Sequence, residues 1–360
     1  MTGGGIFPAL AVLQALGDKA QEVLWIGSES GMEQTITAKY QIPFKAIPAA
    51  GLHGVGLRQL PANLSRLWRG WKQAKRAIVN FQPDVMFFTG GYLAGPVALA
   101  GRRIPKVAFI PDIEPGLALR FLIRMADSIT AATKDTLAFL TRKENVDITG
   151  YPVRADFRKW SKTEAKKVLD LHARKPVVLV VGGSSGARSM NNAVFAQLEE
   201  LLQIAQIIHI SGKVHWQDAN KIKNALPVQV RQDYHVFSFL EDKMGAALAS
   251  ADLAVSRAGA SSLGELPFFG LPAILVPYPH AWRYQKTNAE YLVKKGAAVL
   301  LPDENLEQDL LATITNLLAN PQHLERMSKS MQALSKPDAA KKIAQIIVQT
   351  ANIKKEVQTL

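Results

Sequence analysis

Short apolar runs alternate with glycine-containing loops and amphipathic segments along most of the chain. In the first half, the runs that predict β-strands are Val23–Gly27, Pro83–Phe88, Lys106–Ile110, Asp127–Ala132 and Val146–Thr149. The pattern then restarts with Pro176–Val181, Gln206–Ile210, His235–Phe239, Asp252–Ser256 and Ala273–Val276. Strands that alternate with helices are typical of a parallel, doubly wound sheet. The pattern therefore predicts an α/β protein with two similar domains.

The polar, basic stretch Tyr151–Lys167 separates the two series of strands. We place the domain boundary there, with residues 1–154 before it and 155–337 after it. From Asp338 to about Lys354 the sequence predicts one amphipathic helix, because Ile343, Ile346 and Ile347 fall on one helical face.

Two glycine loops, Thr2–Gly5 and Gly182–Gly186, each stand before a predicted helix. Such loops bind phosphate because backbone N–H groups and the helix N-terminus converge on the anion, while glycine lets it approach closely. A tight turn explains either loop alone equally well, but two loops in matching positions favour a phosphorylated ligand. Neither loop has P-loop spacing, and Gly182–Gly186 also lacks the dinucleotide-binding spacing.

The first glycine loop differs from the second because no apolar run comes before it. A parallel sheet without that strand would expose apolar surface and unpaired backbone groups. We therefore hypothesise that Met1 is an internal start and that a β-strand of several residues is encoded upstream. A stop codon directly upstream of Met1 would contradict this hypothesis.

The charge balance adds a preference for anionic partners, since Lys and Arg exceed Asp and Glu by 43 − 30 = 13. We find no nucleic-acid-binding motif, no signal peptide, and no cysteine for a disulfide or a thiolate metal site. The uncharged stretches Val85–Gly101 and Leu266–Trp282 are shorter than the roughly 20 residues of a membrane helix and contain Gly and Pro. We expect them to be passages through the core.

The basic stretch Leu57–Lys75 suggests where an anionic partner binds. Five apolar side chains fall near one helical face, namely Leu60, Leu64, Leu67, Trp68 and Trp71. Cationic residues surround them: Arg58, Arg66, Arg69, Lys72, Lys75 and Arg76. This arrangement suits a helix that lies on an anionic bilayer. The alternative is a helix that faces the core and has a solvated basic rim.

Seven segments resemble, in order, the signatures of the MurG family of glycosyltransferases: Thr2–Val12, Gly90–Pro96, Gly150–Arg154, Gly182–Arg188, Ser211–Lys213, Arg257–Glu265 and Gln285–Ala289. The resemblance covers nearly the whole chain. It implies a GT-B fold, in which two Rossmann-like domains flank a cleft. The helix over 338–360 would then cross back to the N-terminal domain, which binds acceptor and membrane, while the C-terminal domain binds the UDP-sugar.

The resemblance also implies a function. It is the transfer, with inversion, of N-acetylglucosamine from UDP-N-acetylglucosamine to lipid I, the undecaprenyl-diphospho-N-acetylmuramoyl-pentapeptide. The product would be lipid II for the peptidoglycan cell wall, made by a peripheral protein on the cytoplasmic face of the bacterial membrane. The alternatives are a related UDP-sugar transferase with another lipid acceptor, and a catalytically silent UDP-sugar-binding protein. A nucleic-acid partner is not expected.

By the same resemblance, Thr2, Gly3 and Gly4 belong to the acceptor-side signature and bind substrate. Ser184 would contact donor phosphate, Leu240 would lie near uracil, and Gln285 would hold sugar hydroxyls. Arg154 would stabilise negative charge near the donor. The nucleotide site would be lined by Ala260, Ser261, Ser262, Leu263, Gly264 and Glu265, with the Glu265 carboxylate accepting from the ribose hydroxyls.

The family usually has a histidine after Thr-Gly-Gly, proposed as the base or as an acceptor-site residue, and in this sequence Gly5 takes its place. Glycine cannot transfer a proton. We hypothesise that Asp112 or Glu114 is the base, because a carboxylate near a cleft can have a raised pKa. Alternatively, Asp112 caps the helix that opens near Pro115. The sequence contains no Asp-x-Asp pair, so we expect no metal ligands and no cofactor.

Overall fold

The computed structural model describes residues 5–29, 33–49, 60–183, 187–279 and 284–359. The chain divides into two compact units. The first unit contains Met1–Arg154 together with Pro337–Leu360, and the second contains Ala155–Lys336.

The strands of the first unit are β1 (Trp25–Ser28), β2 (Phe44–Ile47), β3 (Met86–Phe88), β4 (Lys106–Ile110), β5 (Ser128–Ala131) and β6 (Val146–Ile148). Those of the second unit are β7 (Val177–Val181), β8 (Gln206–Ile210), β9 (Tyr234–Phe237), β10 (Leu253–Ser256), β11 (Ala273–Leu275) and β12 (Ala298–Leu300).

Most strands are followed by one or more helices. They are α1 (Ile6–Leu16), α2 (Glu33–Lys39), α3 (Leu60–Phe81), α4 (Ala94–Ala100), α5 (Leu117–Ile123), α6 (Lys162–Val168), α7 (Arg188–Ala196), α8 (Leu198–Ile204), α9 (Trp216–Ala225), α10 (Val228–Arg231), α11 (Met244–Ser250), α12 (Glu265–Phe269), α13 (Tyr284–Lys294), α14 (Leu306–Leu318), α15 (Pro321–Ala333) and α16 (Ala339–Thr359).

The second unit is built on one parallel sheet with the strand order β12-β11-β10-β7-β8-β9. The chain therefore starts in the middle with β7, fills one side, and then returns to fill the other side from β10 onward. This is the order of a dinucleotide-binding doubly wound fold. Every residue of β8 is buried, as expected for a strand covered on both faces.

The first unit contains two parallel sheets, β1-β2 and β3-β4-β5-β6. All five residues of β4 are buried. The final helix, α16, belongs to this unit and packs against α1, β4 and β5. A hydroxyl pair, Ser128 Oγ and Thr350 Oγ1 at 2.9 Å, joins β5 to α16.

The predicted parallel α/β pattern is confirmed, and each of the ten predicted strands overlaps an observed one. Two observed strands, β2 and β12, were not predicted. Both lie at the edge of a sheet and are only partly buried, so their side chains carry little of the apolar signal that marks a strand. In the part of the chain that the structure describes, no helix is long and apolar enough to cross a membrane.

Candidate functional site

The strand order of the second unit reverses between β7 and β10, which are hydrogen-bonded neighbours. Ligands of doubly wound sheets bind at such a switch point, outside the carboxyl ends of the strands. The segment that follows β7 is the glycine loop 182–186, and the segment that follows β10 contains 257–264. Because Val181 pairs with Ser256, the fold brings together the first residues of two sequence-predicted donor segments. Gly183 has a φ of +91°, which suits glycine, whereas Ser184 lies outside the described residues.

A buried arginine ties these segments together. The Arg257 guanidinium, 9% exposed, forms an ion pair with the Asp303 carboxylate. It also donates to Ser189 Oγ at 2.8 Å and to the Val276 carbonyl at 3.2 Å. Ser189 Oγ in turn donates to Asp303 Oδ1 at 2.7 Å. Arg257 therefore links the end of β10 to the first turn of α7, the end of β11 and the segment after β12.

The loop after β10 uses its own polar groups to hold its shape. Ser262 is buried, and its hydroxyl donates to the Gly259 carbonyl at 2.6 Å. Ala260 and Leu263 are buried, and so is Gly264. Among the predicted nucleotide-site residues, Ser261 and Glu265 keep partly exposed side chains. Glu265 is the first residue of α12.

Gln285 lies in the first turn of α13, and its side-chain oxygen accepts the Tyr278 backbone N–H at 2.9 Å. This bond uses the side-chain oxygen of Gln285 and not the two N–H donors of its amide group. The Tyr278 ring lies 5.3 Å from the Arg257 guanidinium. On the same helix, the buried Asn288 donates to the Ala258 carbonyl at 3.1 Å. Helix α13 is therefore anchored to the loop after β10.

The loop after β8 is held by a buried network. His209 Nε2 lies 3.0 Å from Asn191 Oδ1, and Nδ1 lies 2.8 Å from the Tyr234 hydroxyl. Because the amide oxygen can only accept, Nε2 carries the proton and the tyrosine donates to Nδ1. Asn191 then donates to the Ser211 carbonyl at 2.8 Å. Burial, assisted by repulsion from His215, lowers the pKa of His209 to about 3, so the ring is neutral.

Leu240 is buried and follows β9, the edge strand of the same sheet. Its position near the nucleotide stays a prediction. No group of His, Asp or Glu side chains suited to a metal ion occurs among the described residues.

In the first unit, α1 begins directly after Gly5, and Thr89 Oγ1 donates to the Gly5 carbonyl at 2.9 Å. Thr89 follows β3, so the start of α1 lies at the carboxyl end of that strand. The buried Arg154 places its guanidinium 5.1 Å from the Phe7 ring centroid, within reach of a cation–π contact. Arg154 therefore lies at the first turn of α1. Thr2, Gly3 and Gly4 lie outside the described residues.

The two candidate bases follow β4 and differ in environment. Glu114 is 2% exposed, and its Oε1 accepts from Arg120 Nη2 at 2.9 Å. Arg120 also donates to the Pro115 carbonyl, so this pair stabilises the turn before α5. Asp112 is partly exposed. The N-cap position of α5 is Gly116, so Asp112 does not occupy it.

Comparison with known proteins places this arrangement in a family. The N-terminal domain model of glycosyltransferase family 28 matches residues 2–131, and its C-terminal domain model matches residues 177–343. The chain belongs to glycosyltransferase family 28. The predicted resemblance, the enzyme class and the GT-B fold are therefore confirmed.

Curated relatives have similar length. The chain is 35% identical to the UDP-N-acetylglucosamine--N-acetylmuramyl-(pentapeptide) pyrophosphoryl-undecaprenol N-acetylglucosamine transferase of Roseiflexus sp. (strain RS-1), over 99% of the chain and 94% of that protein. It is also 35% identical to the protein of the same name from Desulforamulus reducens, over 96% and 95%.

Solved structures agree in fold. The crystal structure of Acinetobacter baumannii MurG superposes with a TM-score of 0.71 at 26% identity, covering 96% of both chains. A UDP-GlcNAc 2-epimerase from Neisseria meningitidis, bound to UDP-GlcNAc, gives a TM-score of 0.68 at 14% identity over 96% of both chains. The second likeness concerns the fold alone.

Helix α3 of this family 28 protein has a buried stripe and a separate exposed apolar side. Gly70, Ala74 and Ile78 form the buried stripe. Leu64 and Trp68 are 51% and 55% exposed, so the alternative of a wholly core-facing helix does not hold for them. Lys72 Nζ lies 3.6 Å from the Trp68 ring centroid, and Lys75 Nζ lies 5.5 Å from that of Trp71. Indoles and ammonium groups therefore share one surface.

Sequence reasoning missed three residues that organise the donor-side loops. Arg257 lies in the family-like segment Arg257–Glu265, but the sequence predicted no role for it, and its partner Asp303 lies 46 residues away with no motif around it. His209 lies outside the seven segments that resemble the family. Its neutral network became visible only once β8, α7 and β9 were adjacent.

Proposed function

We propose that this protein transfers N-acetylglucosamine from UDP-N-acetylglucosamine to lipid I, an undecaprenyl-linked acceptor, and so makes lipid II. The observation that carries the proposal is the pairing of the glycine loop after β7 with the loop after β10 at the switch point of the second unit. The printed names of two relatives at 35% identity support the same reaction.

On the donor side, α7 directs its N-terminus toward the edge where the glycine loop lies, and this favours the donor diphosphate. Ser184 and its loop contact the phosphates, and Leu240 packs on uracil. The Glu265 carboxylate accepts from the two ribose hydroxyls, which are charge-assisted hydrogen bonds. The Gln285 amide group donates to sugar hydroxyls, because its oxygen is already used by the Tyr278 N–H.

On the acceptor side, Asp112 takes the proton of the acceptor hydroxyl while that oxygen forms a bond to the anomeric carbon. The bond from that carbon to UDP breaks, and the electron pair leaves with the diphosphate. Asp112 is the better base than Glu114, because the Glu114 carboxylate is buried and paired with Arg120. Thr2, Gly3 and Gly4 bind the acceptor, and Arg154 offsets negative charge beside Phe7.

The membrane surface is the second partner. Leu64 and Trp68 are exposed beside Lys72 and Lys75, and such a surface inserts its apolar groups at the lipid headgroups while the ammonium groups attract anionic lipid. We therefore place the protein at the cytoplasmic face of the bacterial membrane, held peripherally.

The test is incubation of the full chain with labelled UDP-N-acetylglucosamine and a lipid I analogue. Label in the lipid product is the expected result, and a Glu265→Gln variant should need more donor for the same rate. Donor binding without transfer would overturn the proposal and point to a UDP-sugar-binding protein, for which Gly5 at the usual histidine place gives a reason. Transfer only to another polyprenyl-linked acceptor would identify a related transferase.

A further inference from the structure

The ends of four neighbouring strands of the second unit lie level with one another. Ser256 of β10 pairs with Val181 of β7. Val181 also pairs with Ile210 of β8, which in turn pairs with Phe237 of β9. Because the strands are parallel, the segments that follow these residues leave the sheet at one edge, in the order β10, β7, β8, β9. Ligands of doubly wound sheets bind at this edge.

A predicted donor contact follows three of these strands, and β8 is the exception. The glycine loop 182–186 after β7 is predicted to hold the phosphates, and Leu240 after β9 is predicted to lie near uracil. β8 lies between those two strands. Neighbouring strands are about 4.8 Å apart, so the two predicted contacts stand about 10 Å apart with β8 between them. Because ribose joins uracil to the phosphates, a nucleotide that reaches both contacts crosses the end of β8.

The segment after β8 is Ser211-Gly212-Lys213, a family-like segment to which the sequence assigned no role. Ser211 is buried and held from two sides. Its N–H donates to the Phe237 carbonyl at 3.0 Å, and its carbonyl accepts from Asn191 Nδ2 at 2.8 Å. Gly212 is also buried and has a φ of +82°, which suits glycine. The backbone that leads to Lys213 is therefore fixed by β9 and α7.

Lys213 itself is exposed, and its ammonium group forms no ion pair within the part of the chain that the structure describes. The Arg257 guanidinium at the same edge is in the opposite situation, because Asp303 and Ser189 already occupy it. A lysine ammonium is a compact cation on a flexible four-carbon stem, and it binds phosphate as a point charge. A fixed backbone thus presents an uncommitted cation at the edge where the nucleotide crosses β8.

We infer that Lys213 binds the diphosphate of the nucleotide donor, an assignment that rests on the proposed function. The ammonium group pairs with phosphate oxygens between the glycine loop after β7 and the loop after β9. In the transfer reaction the bond to the anomeric carbon breaks and UDP leaves with the electron pair, so a cation at the diphosphate also stabilises the departing charge. Lys213 therefore makes the site prefer a nucleoside diphosphate over the nucleoside alone.

The experiment measures UDP binding by calorimetry on the full chain and three variants. Lys213→Met removes the charge and keeps an unbranched side chain, so UDP affinity should fall about tenfold, as expected for one lost charge-assisted hydrogen bond. Lys213→Arg keeps the cation and should retain most of the affinity. The matched control is Lys221→Met, at another exposed lysine of the same unit in α9, and it should leave UDP affinity unchanged.

Two further readouts separate a phosphate contact from a change in loop packing. The difference in UDP affinity between the unmodified chain and Lys213→Met should shrink as salt is raised, because the Debye length falls from about 10 Å at 0.1 M to about 3 Å at 1 M. Uridine has no phosphate, so it should bind the two proteins equally in saturation-transfer NMR, which detects weak ligands. A packing defect would instead weaken uridine and UDP alike at every salt concentration.

Several results would overturn the inference. Unchanged UDP affinity in Lys213→Met is one, and an equal loss of uridine and UDP binding is another. Arg188, the exposed first residue of α7, is the rival cation at this edge, and a loss of UDP affinity in Arg188→Met but not in Lys213→Met would assign the diphosphate to α7. If the unmodified chain does not bind UDP, the proposed function itself fails. UDP binding that survives Lys213→Met refutes only the role of Lys213.

Discussion

The Arg257–Asp303 pair offers a sharp test of how the donor-side loops are held. In the Arg257→Ala variant, Asp303 loses its cationic partner, and Ser189 and the Val276 carbonyl lose a donor. Removal of one partner of a buried ion pair costs about 3–5 kcal/mol. Because Asp303 is 17% exposed and retains some water, we expect the lower end, about 3 kcal/mol.

The Arg257→Lys variant keeps the charge but not the geometry. One ammonium group cannot span the carboxylate, the hydroxyl and the carbonyl that the planar guanidinium reaches. We expect a loss of about 1–2 kcal/mol, near the value of two ordinary hydrogen bonds. The Asp303→Asn variant should behave similarly, because its side-chain oxygen still accepts from Ser189.

The assay has two readouts. Hydrogen exchange of β8 and β10 reports the stability of the second unit separately from the first, and calorimetry with UDP reports the donor site. We expect Arg257→Lys to weaken UDP binding by about 10-fold or more, because a displaced loop after β10 no longer holds its groups in the positions that contact the ligand. If Arg257 instead contacted the diphosphate itself, lysine would largely preserve UDP affinity. That result, or a loss of stability below about 1 kcal/mol in Arg257→Ala, would refute the reasoning.

Three further predictions concern other parts of the molecule. Asp112→Asn should lower kcat by about 100-fold or more in the transfer assay. The control Asp135→Asn changes an exposed carboxylate of the same unit and should leave kcat unchanged. Full turnover of the Asp112→Asn variant would exclude Asp112 as the base. Trp68→Ser should reduce the fraction of protein that sediments with anionic vesicles. The control Val228→Ser, at an exposed apolar residue of the second unit, should leave that fraction unchanged. Equal sedimentation of the two variants would count against the α3 surface. Burial lowers the pKa of His209 from 6.5 in the unfolded chain to about 3 in the folded protein, so on acidification the unfolded chain binds the proton first. The free energy of unfolding therefore decreases as the pH falls from 6.5 to 3, by up to about 1.4 kcal/mol per pH unit. His209→Gln should flatten this slope in urea unfolding, and an unchanged slope would contradict the assigned cause.

The candidate site was predictable where its residues sit together in sequence. The glycine loop 182–186, the segment 257–265 and Gln285 were each found from local motifs, and the fold places the first two on adjacent strands. The choice between Asp112 and Glu114 was not predictable. It depends on the Arg120 side chain, which approaches Glu114 only after α5 has formed.

By itself the sequence determined the parallel α/β class, the position of most strands and the two glycine loops. These features are local, because apolar periodicity and glycine conformational freedom act over a few residues. Only the tertiary structure decided which strands are neighbours, and therefore where the switch point lies. It also decided that Arg257 meets Asp303, because contacts between distant segments depend on strand order, which no local pattern records.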